Sequence, residues 1–181
     1  MVRTRVGYAG GKKRGPTYYD LGDHSETVEI DYDPNRVSYG ELLQVFWEGH
    51  DPATRPWSRQ YASIIFYHND EQKRLAVESK NGVETRLGKK VHTEIRPFAG
   101  FYLAEDYHQK YFLRHVAPLI LEYARIYPDA MDFVNSTAAA RVNGYLGGYG
   151  ESGDLRANLD RLGLSEEGKS LLARVGERLA R

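Results

Sequence analysis

The 181-residue chain contains no cysteine. That absence excludes a disulfide framework, a Cys-ligated zinc or iron–sulfur centre and a thiol nucleophile from these residues. An excess of charge of either sign is also missing, since 25 Lys and Arg balance 25 Asp and Glu. A generic nucleic-acid coat or a binder of anionic membranes would carry a basic surplus. No run approaches the ~18 consecutive apolar residues of a membrane-spanning helix. The start, MVRTRVGYAGG, lacks the successive charged, apolar and small-residue regions of a secretory signal. The expectation is a cytoplasmic protein with no membrane and no nucleic acid among its partners. What the chain has instead is 41% hydrophobic residues, enough for a globular core, and 14 tyrosines.

The order of elements reads as α/β followed by helices. Thr4 to Tyr8 suits a short strand leading into a loop of Gly10, Gly11, Lys12, Lys13, Arg14, Gly15 and Pro16. From Glu26 to Tyr32 the pattern alternates with period two, placing Val28, Ile30 and Tyr32 on one face with Glu26. Ser38-x-x-Glu41 is a capping box ahead of a helix from about Tyr39 to Glu48. Tyr61 to His68 is apolar on both faces and predicts a central, covered strand. Asn69 caps a helix that runs to Gly88, and Val91 to Phe98 predicts a further strand. Tyr102 to His115 and the remaining segments read as mostly helical. Pro118 opens one helix, Phe133 to Leu146 forms another, Leu155 to Leu162 stops at Gly163, and the last starts at Ser165-Glu166-Glu167 and reaches Ala180. The division expected is an α/β core over residues 1–127 and a helical extension over 128–181.

Glu26 carries the clearest chemical signal. A carboxylate on a buried apolar face is disfavoured in its charged form and can keep a proton to donate. A strand beginning at Thr27 would instead leave Glu26 as a solvated edge residue. The phenols of Tyr18, Tyr61 and their neighbours could hydrogen-bond a polarised oxygen, although most tyrosines pack with a wet tip. The six histidines are scattered, and Glu105-x-x-His108 is a single copy of a spacing that metal bundles use in pairs. No metal and no bound cofactor are expected. Lys12-Lys13-Arg14 with Tyr18 and Tyr19 could be a basic aromatic patch, but it is no P-loop.

Six blocks together resemble the A-type peptide methionine sulfoxide reductases (MsrA), in order and spacing: TRVGYAGG, PTY, GDHSETVEIDYDP, SYGELLQVFWEGHDP, SRQYASIIFYH and FYLAEDYHQKYF. The resemblance covers residues 3 to about 115. It implies an α+β, two-layer sandwich with a mixed sheet of ferredoxin-like MsrA type, and residues beyond about 120 lie outside the shared core. It implies reduction of methionine-S-sulfoxide, free or in proteins, by a thiolate attacking sulfur while a glutamate protonates the oxygen with two tyrosines assisting. By motif, the glutamate is Glu26 and the tyrosines are Tyr18 and Tyr61, while His108 and Tyr111 fall in a segment that lines the substrate pocket. The reductant would be an external, thioredoxin-like or other thiol, and the protein a monomer.

Two departures stand against that pattern. The family motif glycine-cysteine-phenylalanine-tryptophan, which supplies the nucleophile and an aromatic cradle, would precede Met1, and with it the first strand and helix of the fold. Arg55-Pro56-Trp57-Ser58 is shorter than a family insertion that carries an aspartate. The expectation is a reductase whose nucleophile lies upstream, as cysteine or as a selenocysteine whose UGA codon reads as a stop, so that the 181 residues alone are inactive. The alternatives are a pseudoenzyme that binds methionine-sulfoxide partners and a helical scaffold or interaction protein.

Overall fold

The computed structural model describes residues 2–150 and 152–179, the side chains of 152 and 177–179 excepted. The chain divides into two compact units, one of Val6–Ala104 and one of Met1–Arg5 with Glu105–Arg181. The first unit holds strands β1 (Arg3–Ala9, from residue 6 onward), β2 (Ser25–Asp31), β3 (Ile64–Tyr67), β4 (Glu94–Pro97) and β5 (Phe101–Leu103), with helices α1 (Tyr39–Glu48) and α2 (Asp70–Leu87).

Local chemistry accounts for both helices. Ser38 accepts from the Glu41 amide and the Glu41 carboxylate accepts from the Ser38 amide, so the capping box is complete. Asn69 caps α2 by accepting from Gln72 N, and Gly88 ends it in the left-handed region at φ 61°. One face of each helix is buried: Leu43 and Trp47 of α1 join Ala76 and Val83 of α2, Ile65 of β3 and Val91 in one core cluster. A side-chain chain ties the end of α1 to the strands beside it. His50 Nδ1 donates to Phe46 O, leaving Nε2 to accept from Ser63, whose oxygen also meets Thr93 at 2.9 Å.

The expected mixed sheet is present as two pieces. One has the order β2-β1-β5, with β1 antiparallel to β5; the other is β3 parallel to β4, with Ile65 opposite Ile95. Tyr61–His68 does not form the covered central strand that its apolar run suggests. Only Ile64–Tyr67 is extended, Ile65 alone is buried, and among the described residues β3 pairs on one side only. The physical reason is a groove of about 310 Å³ lined by residues 26–30 of β2, residues 62–66 and the Tyr39, Leu42, Leu43 and Phe46 side of α1. β5 is a second difference. Tyr102–His115 reads as mostly helical, yet Phe101–Leu103 is a strand whose backbone comes so close to Gly7 that a Cβ there would meet Tyr102 O at 2.2 Å.

The second unit is helical. A 3₁₀ turn (Asp106–His108) precedes α3 (Tyr111–Arg114), α4 (Ala117–Ile126), α5 (Ala130–Asn135), α6 (Thr137–Leu146), α7 (Ser152–Asn158) and α8 (Glu166–Leu179). The helix expected over Phe133–Leu146 is broken at Ser136, which accepts from Ala139 N as the cap of α6. The expected end of the last helix, Ala180, lies outside the described residues. Leu113, Leu119, Tyr123, Val134, Val142, Leu162 and Leu172 form its core. The Tyr123 hydroxyl satisfies its burial by donating to Leu162 O at 2.7 Å.

Candidate functional site

β2 places Glu26, Val28 and Ile30 on one face, as the alternation requires, but that face is open. Val28 is 56% exposed and Glu26 is exposed, whereas Thr27, Glu29 and Asp31 opposite are partly covered. The expectation of a buried Glu26 is therefore corrected. Its strand face borders the groove, and no described residue covers it.

Glu26 is nevertheless held in a defined pose. Its amide donates to Gln60 O at 2.9 Å, and the Gln60 side-chain amide donates to Glu26 Oε1 at 2.7 Å. The Ser25 hydroxyl adds a third tie by donating to Arg59 O at 2.7 Å. Because Oε1 already accepts from the Gln60 amide, Oε2 is the oxygen left to meet a substrate. The Tyr61 phenol is hydrogen-bonded to Tyr18, and this bond, followed by desolvation and the negative charge of Glu26, pushes its pKa above the usual value. Tyr61 thus remains a donor throughout the neutral range. The structure brings Tyr18, Tyr61 and Glu26 together, and Tyr18 also packs against the small core of Tyr8, Leu21 and Ala104.

The glycine-rich loop beside them has no free cradle for a phosphate. Gly11 N donates to His24 Nδ1, and the amides of Lys12 and Lys13 both donate to Asp23 Oδ1. Those bonds hold the Asp23 carboxyl below its ordinary range. Lys13 is paired with Asp20. Gly10 takes φ 83° where the chain turns, with the Phe66 ring filling the space a side chain would need.

His108 and Tyr111 lie in the helical unit. His108 packs against Tyr107 with ring centroids 4.2 Å apart, and the exposed Tyr111 ring lies 4.3 Å from His115. Between them lies Lys110, which no sequence pattern singles out. It is 4% exposed, adopts φ 54°, and its ammonium donates to Thr4 O at 2.5 Å and Thr4 Oγ1 at 3.3 Å. Burial, followed by the like charge of Arg5, pushes its pKa down to about 8. Gln60 and Trp57 were missed as well. Gln60 adjoins Tyr61 in the quoted block, and Trp57 lies where the chain departs from the family pattern. Among the described residues no group of three or more His, Asp or Glu is placed to hold a metal ion, and no helix is long and apolar enough to cross a membrane.

A carboxyl with one oxygen committed and the other available, beside two linked phenols, is placed to hydrogen-bond and polarise an oxygen on a substrate. The α+β fold is that of solved methionine sulfoxide reductases. A Corynebacterium diphtheriae methionine sulfoxide reductase A aligns with a TM-score of 0.60 and 34% identity, over 66% of this chain and 65% of that one. Reduced Mxr1 from Saccharomyces cerevisiae aligns with a TM-score of 0.58 and 29% identity, over 63% and 71%. In sequence, residues 1–141 match the family profile described as peptide methionine sulfoxide reductase, and residues 131–175 match one described as the helical domain of selenoprotein methionine sulfoxide reductase A. A Drosophila melanogaster peptide methionine sulfoxide reductase is 43% identical over 167 residues, 91% of this chain and 67% of its own length. MsrA of Saccharolobus solfataricus is 39% identical over 147 residues, 71% and 83% respectively. The chain belongs to the peptide methionine sulfoxide reductase A family.

Proposed function

We propose that this chain carries the acid half of a methionine-S-sulfoxide reductase and works with a thiol or selenol that the 181 residues do not contain. The observation that carries the reading is the convergence of Tyr61 on Tyr18, to which it is hydrogen-bonded, and on Glu26, which the adjacent Gln60 holds beside the groove. Tyr18 and Tyr61 donate to the sulfoxide oxygen, and Glu26 Oε2 delivers a proton as the S–O bond breaks. The nucleophile bonds to the substrate sulfur as the protonated oxygen departs as water; a water then attacks the nucleophile and breaks that bond, which releases methionine and a proton and leaves a sulfenic or selenenic acid. Two equivalents of an external thiol, of thioredoxin type or a small molecule, then return it to the reduced state with release of water. No Ser, Tyr or His can replace a thiolate or selenolate in that step, so the 181 residues alone are inactive.

Two features support a nucleophile that arrives on an extended segment. Among the described residues, β2 and β3 each have one edge without a partner strand beside the groove, and the buried Tyr39 hydroxyl in its wall has no partner. The family resemblance expects its cysteine motif on a strand in the middle of the sheet. The match of the helical unit to a domain named for a selenoprotein favours selenium over sulfur. The setting proposed is cytoplasmic repair of oxidised proteins. The test is the mass of the protein isolated from its native cell after alkylation, together with its activity on methionine-S-sulfoxide. A mass well above 20.7 kDa with one alkylated thiol or selenol and S-epimer activity is expected. A native mass of 20.7 kDa without such a group would favour a sulfoxide-binding pseudoenzyme instead.

A further inference from the structure

Trp57 stands beside this site and has no part in the chemistry described above. Its ring lies 4.8 Å from that of Tyr61, tilted by 34°, and the residue is 82% exposed. Isolated exposed apolar side chains are ordinary. This one differs because both flanks of its loop are fixed. Before it, Asp51 accepts from Ala53 N and the Thr54 hydroxyl, and Pro52 O accepts from His92 N. After it, Arg59 is ion-paired to Glu94 at 2.6 Å, while Arg59 O and Gln60 O accept from Ser25 and Glu26. A loop anchored on both sides therefore holds a nearly bare indole against the ring of a tyrosine whose hydroxyl is in the site. Tyr19, also exposed, sets its ring 5.4 Å from that of Tyr18.

We propose that Trp57 is a specificity-determining residue that reads the polypeptide on either side of a methionine sulfoxide, so that the site favours the oxidised residue within a peptide over the free amino acid. The inference rests on Glu26, Tyr18 and Tyr61 being the sulfoxide site. With the sulfoxide oxygen at those hydroxyls, the substrate backbone has to leave past the Tyr61 ring. Successive residues of an extended peptide advance by about 3.3 Å, so a flanking side chain falls within reach of the indole. Free methionine sulfoxide ends in an ammonium and a carboxylate at that point and leaves the indole wet. A pre-positioned Trp gives contact area at little cost in ordering, which is why Trp is common where binding energy concentrates.

The chain has two tryptophans, and Trp47 is buried with its indole N–H donated to Ser79. Intrinsic fluorescence at the red edge therefore reports Trp57. The 181-residue protein is titrated with N-acetyl-Leu-Met(S-oxide)-Leu-amide and, separately, with free L-methionine-S-sulfoxide, with calorimetry giving affinity independently of the fluorophore. The expected result is a blue shift with the peptide and an affinity about five- to tenfold tighter than for the free amino acid, the size of one partly buried aromatic contact. Trp57→Ala brings the two affinities together, and Trp57→Phe keeps most of the difference. Equal affinities in the unmodified protein, or a peptide preference that survives Trp57→Ala, would overturn the role of Trp57 and leave the sulfoxide site standing. Binding of neither ligand would overturn the sulfoxide site and Trp57's role with it.

Discussion

At the scale of the residue, the informative group is Gln60, because it decides how Glu26 can act. An exposed carboxylate rotates freely and offers either oxygen, whereas Glu26 is fixed by a bond from the Gln60 amide to Oε1 and a bond from its own backbone to Gln60 O. Gln60→Ala removes the first and keeps the second. The dissociation constant for an acetylated methionine-S-sulfoxide amide should rise about fivefold, the equivalent of ~1 kcal/mol for one hydrogen bond, as read by calorimetry on protein whose circular dichroism is unchanged. An unaltered constant would mean that Glu26 needs no such anchor. Parity along Ser25–Asp31 showed from sequence that Glu26, Val28 and Ile30 share a face. It could not show that this face is open, because burial depends on which element lies opposite and not on the strand itself.

Elements differ in how much of themselves the sequence discloses. α1 and α2 were legible to the residue at their starts, since Ser38, Glu41 and Asn69 act through bonds within one turn. Ser38→Ala should therefore destabilise the first unit by about 1 kcal/mol in urea unfolding, and a loss near zero would mean that packing of Leu43 and Trp47 holds the helix start unaided. Strands β3 and β5 were less legible. An apolar run such as YASIIFYH says that a segment avoids water but not how many neighbours pair with it. Phe101–Leu103 is three residues long, too short for a period of two to show, and exists because β1 lies beside it. The break of the expected Phe133–Leu146 helix at Ser136 was visible in principle, since Ser is a preferred cap, but the apolar spacing runs through it.

For the whole molecule, the least legible feature is the tie between the first residues of the chain and its helices. Thr137 donates to Val2 O, Lys110 to Thr4 O, and Arg5 to Asn135. No local pattern announces a bond across more than a hundred residues. Lys110 makes this tie sensitive to pH. Its folded pKa of about 8 lies below the ordinary lysine value of 10.5, so between those limits the unfolded chain binds more protons than the folded one. Stability should then rise with pH from about 8 towards 10.5, by up to ~1.4 kcal/mol for each unit of separation. The buried Tyr123, whose pKa is raised, acts in the opposite sense above pH 10. Urea unfolding at pH 8 and pH 9.5, in the native chain and in Lys110→Met, isolates the lysine: the rise should be present in the first and absent in the second. A rise of equal size in both would assign it to another group.

Strand β1 is divided between the two units, residues 3–5 with the helices and residues 6–9 with the sheet. A gene fusion that borrowed only residues 105–179 would carry the Lys110 ammonium into a buried position and leave both its acceptors on Thr4 behind. The helical unit is therefore not a cassette. It can be transplanted, permuted or exchanged between proteins only in company with residues 2–5 from the far end of the chain.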